Sequence, residues 1–496
     1  MAAVLRPFAL ALSLTASAAA AAEQPPDNAP AASAAMAKSA EAKRLPADAT
    51  SAHTLNLSGR VLNFKASVNV IRLADEKGAP QADIVTTAYE LDGVDPRSRP
   101  VTFVFNGGPG AASAWLQFGA VGPWRLPMNG LRASSPPALL DNDDTWLDFT
   151  DLVFIDPPAT GYSKVVATNE DARKRFWTID GDIEALAAAI RRWLVARDRS
   201  QSPKFILGES YGGFRGPRLA EELATKQGVG VNGLVLLSPV LDFHSNDILS
   251  VMTRLPSYAA AFRERKGIVT RADVADAEQY ARGDYLLDLL RGPNDKAAVA
   301  RIVERVSELT GLDPDLVRRL GGRVGKTAFQ REFDRSQGKV TAFYDATIAT
   351  YDPSPTSYFD NWPDPVTDGF IAPFTSAATD LYNGRLNWKT DDRYELLNSA
   401  VSRAWNWGSS LSPPESVGAL KNMLALDSNF RVLVAHGLTD IQTPYLGTQL
   451  VLDQIPDYGP PGRLALKVYP GGHMLYSRDD SRKALREDAR RLIEGK

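Results

Sequence analysis

Cysteine is absent from all 496 residues, which excludes a disulfide framework, a thiolate metal site and a lipid-modified Cys. Histidine is scarce: there are four, none in an H-E-x-x-H spacing. A zinc hydrolase therefore finds little support, and neither a metal nor a diffusible cofactor is implied. Neither charge sign dominates, with 56 Lys and Arg against 59 Asp and Glu. Without a basic field to attract phosphate backbones or anionic lipid, nucleic acid is not an expected partner. Long apolar runs are also missing, and the one at the start, MAAVLRPFALALSLTASAAAAAE, is too short to span a bilayer. Its single Arg, apolar middle and small-residue end predict a secretory signal peptide over residues 1–22. Export without disulfides points to a bacterial periplasm or the cell exterior, with no membrane association beyond export.

What the chain does have is 44% apolar and 9% aromatic residues, enough for a large core and for more than one average domain. Residues 23–50, rich in Ala, Pro, Ser and Lys without apolar periodicity, read as a disordered tether. Between His53 and Tyr89, short alternating runs broken by Gly, Pro and Asp predict antiparallel hairpins at a sheet edge.

The rhythm then changes. The apolar runs VTFVFN, DLVFID, KFILGES, GLVLLSP and RVLVAHG alternate with helical stretches, the pattern of parallel strands covered on both faces. Ahead of KFILG, the residues Ile183, Leu186, Ala187, Ile190, Trp193 and Leu194 form one stripe of an amphipathic helix. From about Asn246 to Trp388 the strand rhythm gives way to helical segments. These features predict an α/β chain with a mostly parallel central sheet, antiparallel N-terminal edge strands and an inserted helical cap. The expected boundaries are 51–245 for the first part of the sheet domain, 246–388 for the cap and 389–496 for the second part.

The chemistry-bearing residues fall at strand ends. Phe205–Leu207 predicts a short buried strand, followed by Gly208, Glu209, Ser210, Tyr211, Gly212 and a helix. This is the G-x-S-x-G elbow of the α/β-hydrolase fold, whose small residues let the chain turn sharply enough to expose the serine hydroxyl. An ordinary Gly-rich turn carries the same spacing, but the flanking strand and helix favour the elbow. A serine nucleophile needs a His base oriented by a carboxylate, and on this fold they follow in the order Ser, Asp, His. Asp440 after RVLVAHG and His473 in GGHM satisfy that order. His53, His244 and His436 do not, and read as structural or surface residues. In VTFVFNGGPG, Asn106, Gly107 and Gly108 follow a strand directly. The N–H of Gly108 with that of Tyr211 would form a two-donor oxyanion hole.

These blocks together resemble the serine carboxypeptidase family, the group that includes cathepsin A and yeast carboxypeptidase Y. FNGGPG is similar to its oxyanion motif, NDDTWLDFTDLVFIDPPATGYS to its N-x-x-S-W and D-x-P-x-G-x-G-x-S stretch, and GESYGG to its nucleophile motif. HGLTD and GGHM resemble its Asp and His segments. The resemblance implies a peptide substrate and a terminal carboxylate held by Asn106, Gly107 and Glu209. The family's second carboxylate-binding Glu is replaced here by Ala120, two residues before Gly122. Arg125 and Arg215 are nearby cations that would either meet that carboxylate or sit in structural ion pairs. A prolyl aminopeptidase, a carboxylesterase or acyltransferase, and a catalytically dead binding protein are the alternatives on this scaffold.

Overall fold

The computed structural model describes residues 44–244, 247–357, 364–408 and 412–496. The expected signal peptide and most of the expected tether lie outside the described residues. Nine strands form the body of one sheet: β1 (Ala49–Leu57), β2 (Arg60–Ala74), β3 (Pro80–Leu91), β4 (Val101–Phe105), β5 (Asp151–Ile155), β6 (Lys204–Glu209), β7 (Gly233–Leu237), β8 (Arg431–Gly437) and β9 (Leu464–Tyr469). Their spatial order is β1-β2-β3-β5-β4-β6-β7-β8-β9, with the short strand Lys164–Val165 paired beside β3. The first three strands and the β3–β5 pair are antiparallel, and every pairing from β5 onward is parallel.

The hairpin edge predicted from alternation is therefore present, but it begins earlier than the tether boundary at residue 50 implies. Ala49 pairs with Val68, and the Asp48 carboxylate accepts from the Val70 N–H and the Asn69 amide, both at 2.9 Å. That long-range capture orders a segment whose composition alone reads as unstructured.

The all-apolar strand runs are explained by burial on two faces. Phe103, Ile206, Leu234, Leu236, Val432 and Val434 enter one core, together with the predicted stripe of α1 (Ile179–Ala196). Their alternating neighbours Val104, Leu207, Val235, Leu237, Leu433 and Ala435 enter the other, which Leu485, Ala489 and Ile493 of the C-terminal helix Asp479–Glu494 help to close. The helix α2 (Tyr211–Thr225) leaves β6 and lies on the α1 side.

Between β7 and β8 the chain is mainly helical, as its periodicity indicates. Helices including Asp247–Glu264 and Lys296–Thr310 bury Met252, Leu255, Ile302 and Val306 in a third apolar cluster, which also takes in Leu438, Ile441 and Tyr445 from beyond β8. This segment also contains a hairpin that its helical pattern does not announce, pairing Lys339–Thr341 with Ala349–Tyr351. The hairpin's turn carries Tyr344 to the site described below.

A buried ion pair joins α1 to α2. Arg215 Nε donates to Asp182 Oδ2 at 2.7 Å, and each side chain is 1% exposed. Removing one partner of such a pair leaves an uncompensated buried charge. Asp182→Asn is thus expected to destabilise the fold by about 3–5 kcal/mol, read as a lower urea midpoint than that of the parent protein.

Candidate functional site

Ser210 is placed by the reversal between β6 and α2. Its backbone has φ 59° and ψ −121°, a conformation that costs an L-residue on the order of 1–3 kcal/mol and persists only where the surroundings impose it. They do so here. The Ser210 N–H donates to Leu237 O on β7 at 2.8 Å, while Gly213 N and Phe214 N turn back onto Ser210 O. A Cβ at Gly208 would lie 2.1 Å from Gly212 O, so the reversal leaves no room for a side chain there. The candidate nucleophile stands at the carboxyl end of its strand, as the elbow pattern predicts.

Asp440 and His473 are brought together as expected. His473 Nδ1 lies 2.7 Å from Asp440 Oδ2, and both side chains are buried. Asp440 Oδ1 accepts from Gln442 N and Thr443 N at 2.8 and 2.9 Å. Burial alone would lower the His473 pKa, but the charge and hydrogen bond of Asp440, with further help from Glu209 and Asp364, raise it above the ordinary histidine value. Ser210 and His473 line one cavity of about 70 Å³, together with Asn106, Gly107, Gly108 and Glu209. The other three histidines lie elsewhere: His53 in β1, His244 against Asp242 at 2.6 Å, and His436 sealed within β8. Burial drives the His436 pKa down to about 4.

The loop after β4 lies directly against the elbow. A Cβ at Gly107 would come within 2.5 Å of Tyr211 N and 2.9 Å of Ser210 Cβ, so a glycine is needed for this approach. Gly108 follows and lines the same cavity as Ser210, while Tyr211 is the first helical residue of α2, so its N–H has no intrahelical acceptor. The flanking motif braces this corner. Asn142 Nδ2 donates to Ala120 O and Gly122 O at 3.0 and 2.8 Å. Asp156 accepts from Ser113 N at 2.9 Å and from the Tyr394 hydroxyl, and burial lifts its pKa to about 6.

Asn106 and Glu209 form a buried polar pair in the wall of the cavity. Asn106 Nδ2 donates to Glu209 Oε2 at 2.7 Å, and Asn106 Oδ1 accepts from Leu116 N at 3.0 Å. Burial raises the Glu209 pKa to about 7, against the lowering influence of His473, Tyr476 and Asn106. Neither candidate arginine lines this cavity. Arg215 is committed to Asp182 and to Asn106 O at 2.8 Å, so it holds the loop backbone instead. Arg125 lies 3.8 Å from Asp479.

Four residues here escape sequence reasoning. The Thr443 hydroxyl lies 2.6 Å from Asp440 Oδ2 and 3.0 Å from His473 Nδ1. Ser238 Oγ donates to His473 O at 2.9 Å. Tyr344 accepts the His473 N–H through its carbonyl and sets its ring edge-on to the imidazole, with centroids 4.9 Å apart. The Tyr476 hydroxyl donates to Glu209 Oε2 at 2.8 Å. Thr443 and Tyr476 each lie three residues beyond a candidate catalytic residue, the one local signal available for them.

Comparison with known proteins finds relatives for part of the chain. A family model described as serine carboxypeptidase matches residues 88–278, a stretch that includes the Gly-rich loop, Glu209 and Ser210 but not Asp440 or His473. The pheromone-processing carboxypeptidase KEX1 of Fusarium vanettenii is 25% identical over 227 residues, 45% of this chain and 34% of that protein. The kex1 counterpart from Aspergillus oryzae is 22% identical over 377 residues, 74% of this chain and 52% of its own. Serine carboxypeptidase-like 25 of Arabidopsis thaliana is 27% identical over 170 residues, 32% of this chain and 33% of its own. The chain thus spans between a third and about half of these curated relatives' lengths. A solved proline iminopeptidase from Mycobacterium smegmatis aligns over 90% of this chain and 98% of its own at 14% identity, with a TM-score of 0.36. Over the matched stretch, and in the segments shared with these curated relatives, the chain is similar to the serine carboxypeptidase family.

Proposed function

We propose that this protein is a serine-type carboxypeptidase that releases the C-terminal residue of peptides through an acyl-enzyme on Ser210. The observation that carries this reading is the carboxyl of Glu209, buried with Asn106 in the wall of the cavity that holds Ser210 and His473. A carboxyl whose pKa is pushed up to about 7 is largely neutral in mild acid, and a neutral carboxyl can donate a hydrogen bond to a peptide's terminal carboxylate.

In this mechanism His473 takes the Ser210 proton as Oγ attacks the scissile carbonyl, and Asp440 holds the imidazole in the tautomer with Nδ1 protonated. The oxyanion is received by the N–H groups of Gly108 and Tyr211. Collapse of the tetrahedral adduct breaks the C–N bond, and His473 returns the proton to the departing amine. Water then attacks the acyl-enzyme, with His473 again as base, and frees Ser210.

Export to a periplasm or to the cell exterior is part of the proposal and rests on the sequence of residues 1–22. Among the described residues no helix is long and apolar enough to cross a membrane.

The substrate assay is direct. Blocked dipeptides with free and amidated C-termini, offered beside aryl esters, are expected to show preference for the free carboxylate. Ester cleavage alone would point to an esterase, and action confined to a free N-terminal Pro to a prolyl aminopeptidase. Ser210→Ala is expected to lower kcat by about 10⁴-fold or more while circular dichroism stays unchanged, with little further loss on adding His473→Ala. Near-parental turnover in purified Ser210→Ala would refute the acyl-enzyme.

The pH dependence follows from two opposite requirements. His473 works only when neutral, and its raised pKa means that kcat/KM falls for every substrate as acid protonates it. Glu209 donates only when protonated, so free-acid peptides also lose kcat/KM as pH climbs through about 7. A bell-shaped profile is expected for free-acid peptides and a single ascending limb for aryl esters, measured as kcat/KM against pH on one enzyme preparation. Identical profiles for both classes would remove Glu209 from substrate binding.

A further inference from the structure

Glu209 has a neighbour that its sequence surroundings do not suggest. Tyr476 lies on the short turn Leu475–Ser477 after His473, and its ring is fully buried. The ring fills space left open by small residues: a Cβ at Gly119 would lie 2.7 Å from Tyr476 Cε2, and the next residue is Ala120, also buried. From there the hydroxyl donates to Glu209 Oε2, the same oxygen that accepts from Asn106 Nδ2. The other oxygen, Oε1, has no partner among the described residues, and Glu209 lines the cavity that holds Ser210.

This arrangement is not symmetric between the two carboxyl oxygens. An oxygen that accepts two hydrogen bonds serves best as the carbonyl oxygen of the acid form, which leaves the proton to the other. Burial and the Glu209 charge keep the Tyr476 phenol well above its ordinary pKa, so it stays a donor over the working range. We propose that Tyr476 is a positioning residue for substrate recognition: by holding Oε2 of Glu209, it fixes the acid proton on Oε1, where a terminal carboxylate can accept it. The proposal rests on the carboxypeptidase reading and adds how a single Glu, with a phenol for a neighbour, recognises an anionic terminus.

Other titratable groups also face Glu209. His473 and Asp440 approach from the loops after β9 and β8, and Tyr344 approaches from the hairpin of the inserted segment. The arginines Arg215, Arg482 and Arg125 are directed to other carboxylates, Arg215 to Asp182 at 2.7 Å, Arg482 to Asp144 at 2.8 Å and Arg125 to Asp479 at 3.8 Å. Tyr476 therefore has a separable effect. Its hydrogen bond favours the ionised form of Glu209, and deleting the hydroxyl raises the pH at which Glu209 ionises.

The test compares the parent protein, Tyr476→Phe and Glu209→Gln by the KM of a blocked free-acid dipeptide from pH 5 to pH 9. In the parent, KM is expected to rise as pH passes about 7. In Tyr476→Phe the rise should begin about one pH unit higher. Glu209→Gln, with no proton to lose, should show no such rise. Infrared titration of the Glu209 carboxyl reads the same midpoint without turnover. Gly119→Ala, which displaces the ring but keeps the hydroxyl, is expected to shift that midpoint upward as well, and serves if Tyr476→Phe folds poorly. A free-acid preference in the parent with an unmoved midpoint in these variants overturns this inference alone. A parent enzyme with no such preference overturns the carboxypeptidase reading and this inference with it.

Discussion

The geometry of this protein hangs on the reversal at Ser210. A strand buried on both faces ends there, and a helix begins within one residue, which forces Ser210 to φ 59°. Because a side chain at Gly208 would run into Gly212 O, the turn closes tightly, and the backbone of the β4 loop can lie against it through Gly107. The hydroxyl is left at the carboxyl edge of the sheet, where the loops after β8 and β9 deliver Asp440 and His473. Strain at that one residue is sustained by its N–H bond to Leu237 O and by the helix that starts on its carbonyl.

Around this reversal, buried polar groups are tied into one connected network. Asn106 uses its side-chain amide for Glu209, its side-chain oxygen for Leu116 N and its backbone oxygen for Arg215. Arg215 in turn is neutralised by Asp182 on α1. A loop that would otherwise cost several kcal/mol in unsatisfied groups is held rigidly by partners from three separate elements. Burial of Glu209 in the same network displaces its ionisation toward neutrality, so packing and acid–base behaviour have one origin.

The inserted segment contributes to the site in a way its helices do not reveal. Its hairpin turn supplies Tyr344, whose carbonyl receives the His473 N–H and whose ring borders the imidazole. With Ser238 Oγ on the His473 carbonyl and the Thr443 hydroxyl beside its Nδ1, the candidate base is restrained from the sheet, from the loop after β8 and from the insertion. Its orientation does not depend on Asp440 alone.

Much of this was legible in the residue order. Two-sided apolar runs marked the parallel strands, a 3.6-residue stripe marked α1, and Ser210, Asp440 and His473 followed from strand ends and chain order, because those are local consequences of backbone geometry. Contacts between distant segments were not legible. Asp48 reaching Val70 turns an apparent tether into a strand. Arg215, read from its nearness to Ser210 as a possible carboxylate ligand, faces α1 and meets Asp182, since its direction is set by the helix phase and by a partner 33 residues away. Tyr476 meets Glu209 across 267 residues, and no local pattern encodes that meeting. The sequence by itself determined which elements form and where reactive groups stand along them, through the periods of strand and helix. The tertiary structure alone decided which buried donors and acceptors share a partner, because that depends on how separately encoded surfaces close upon one another.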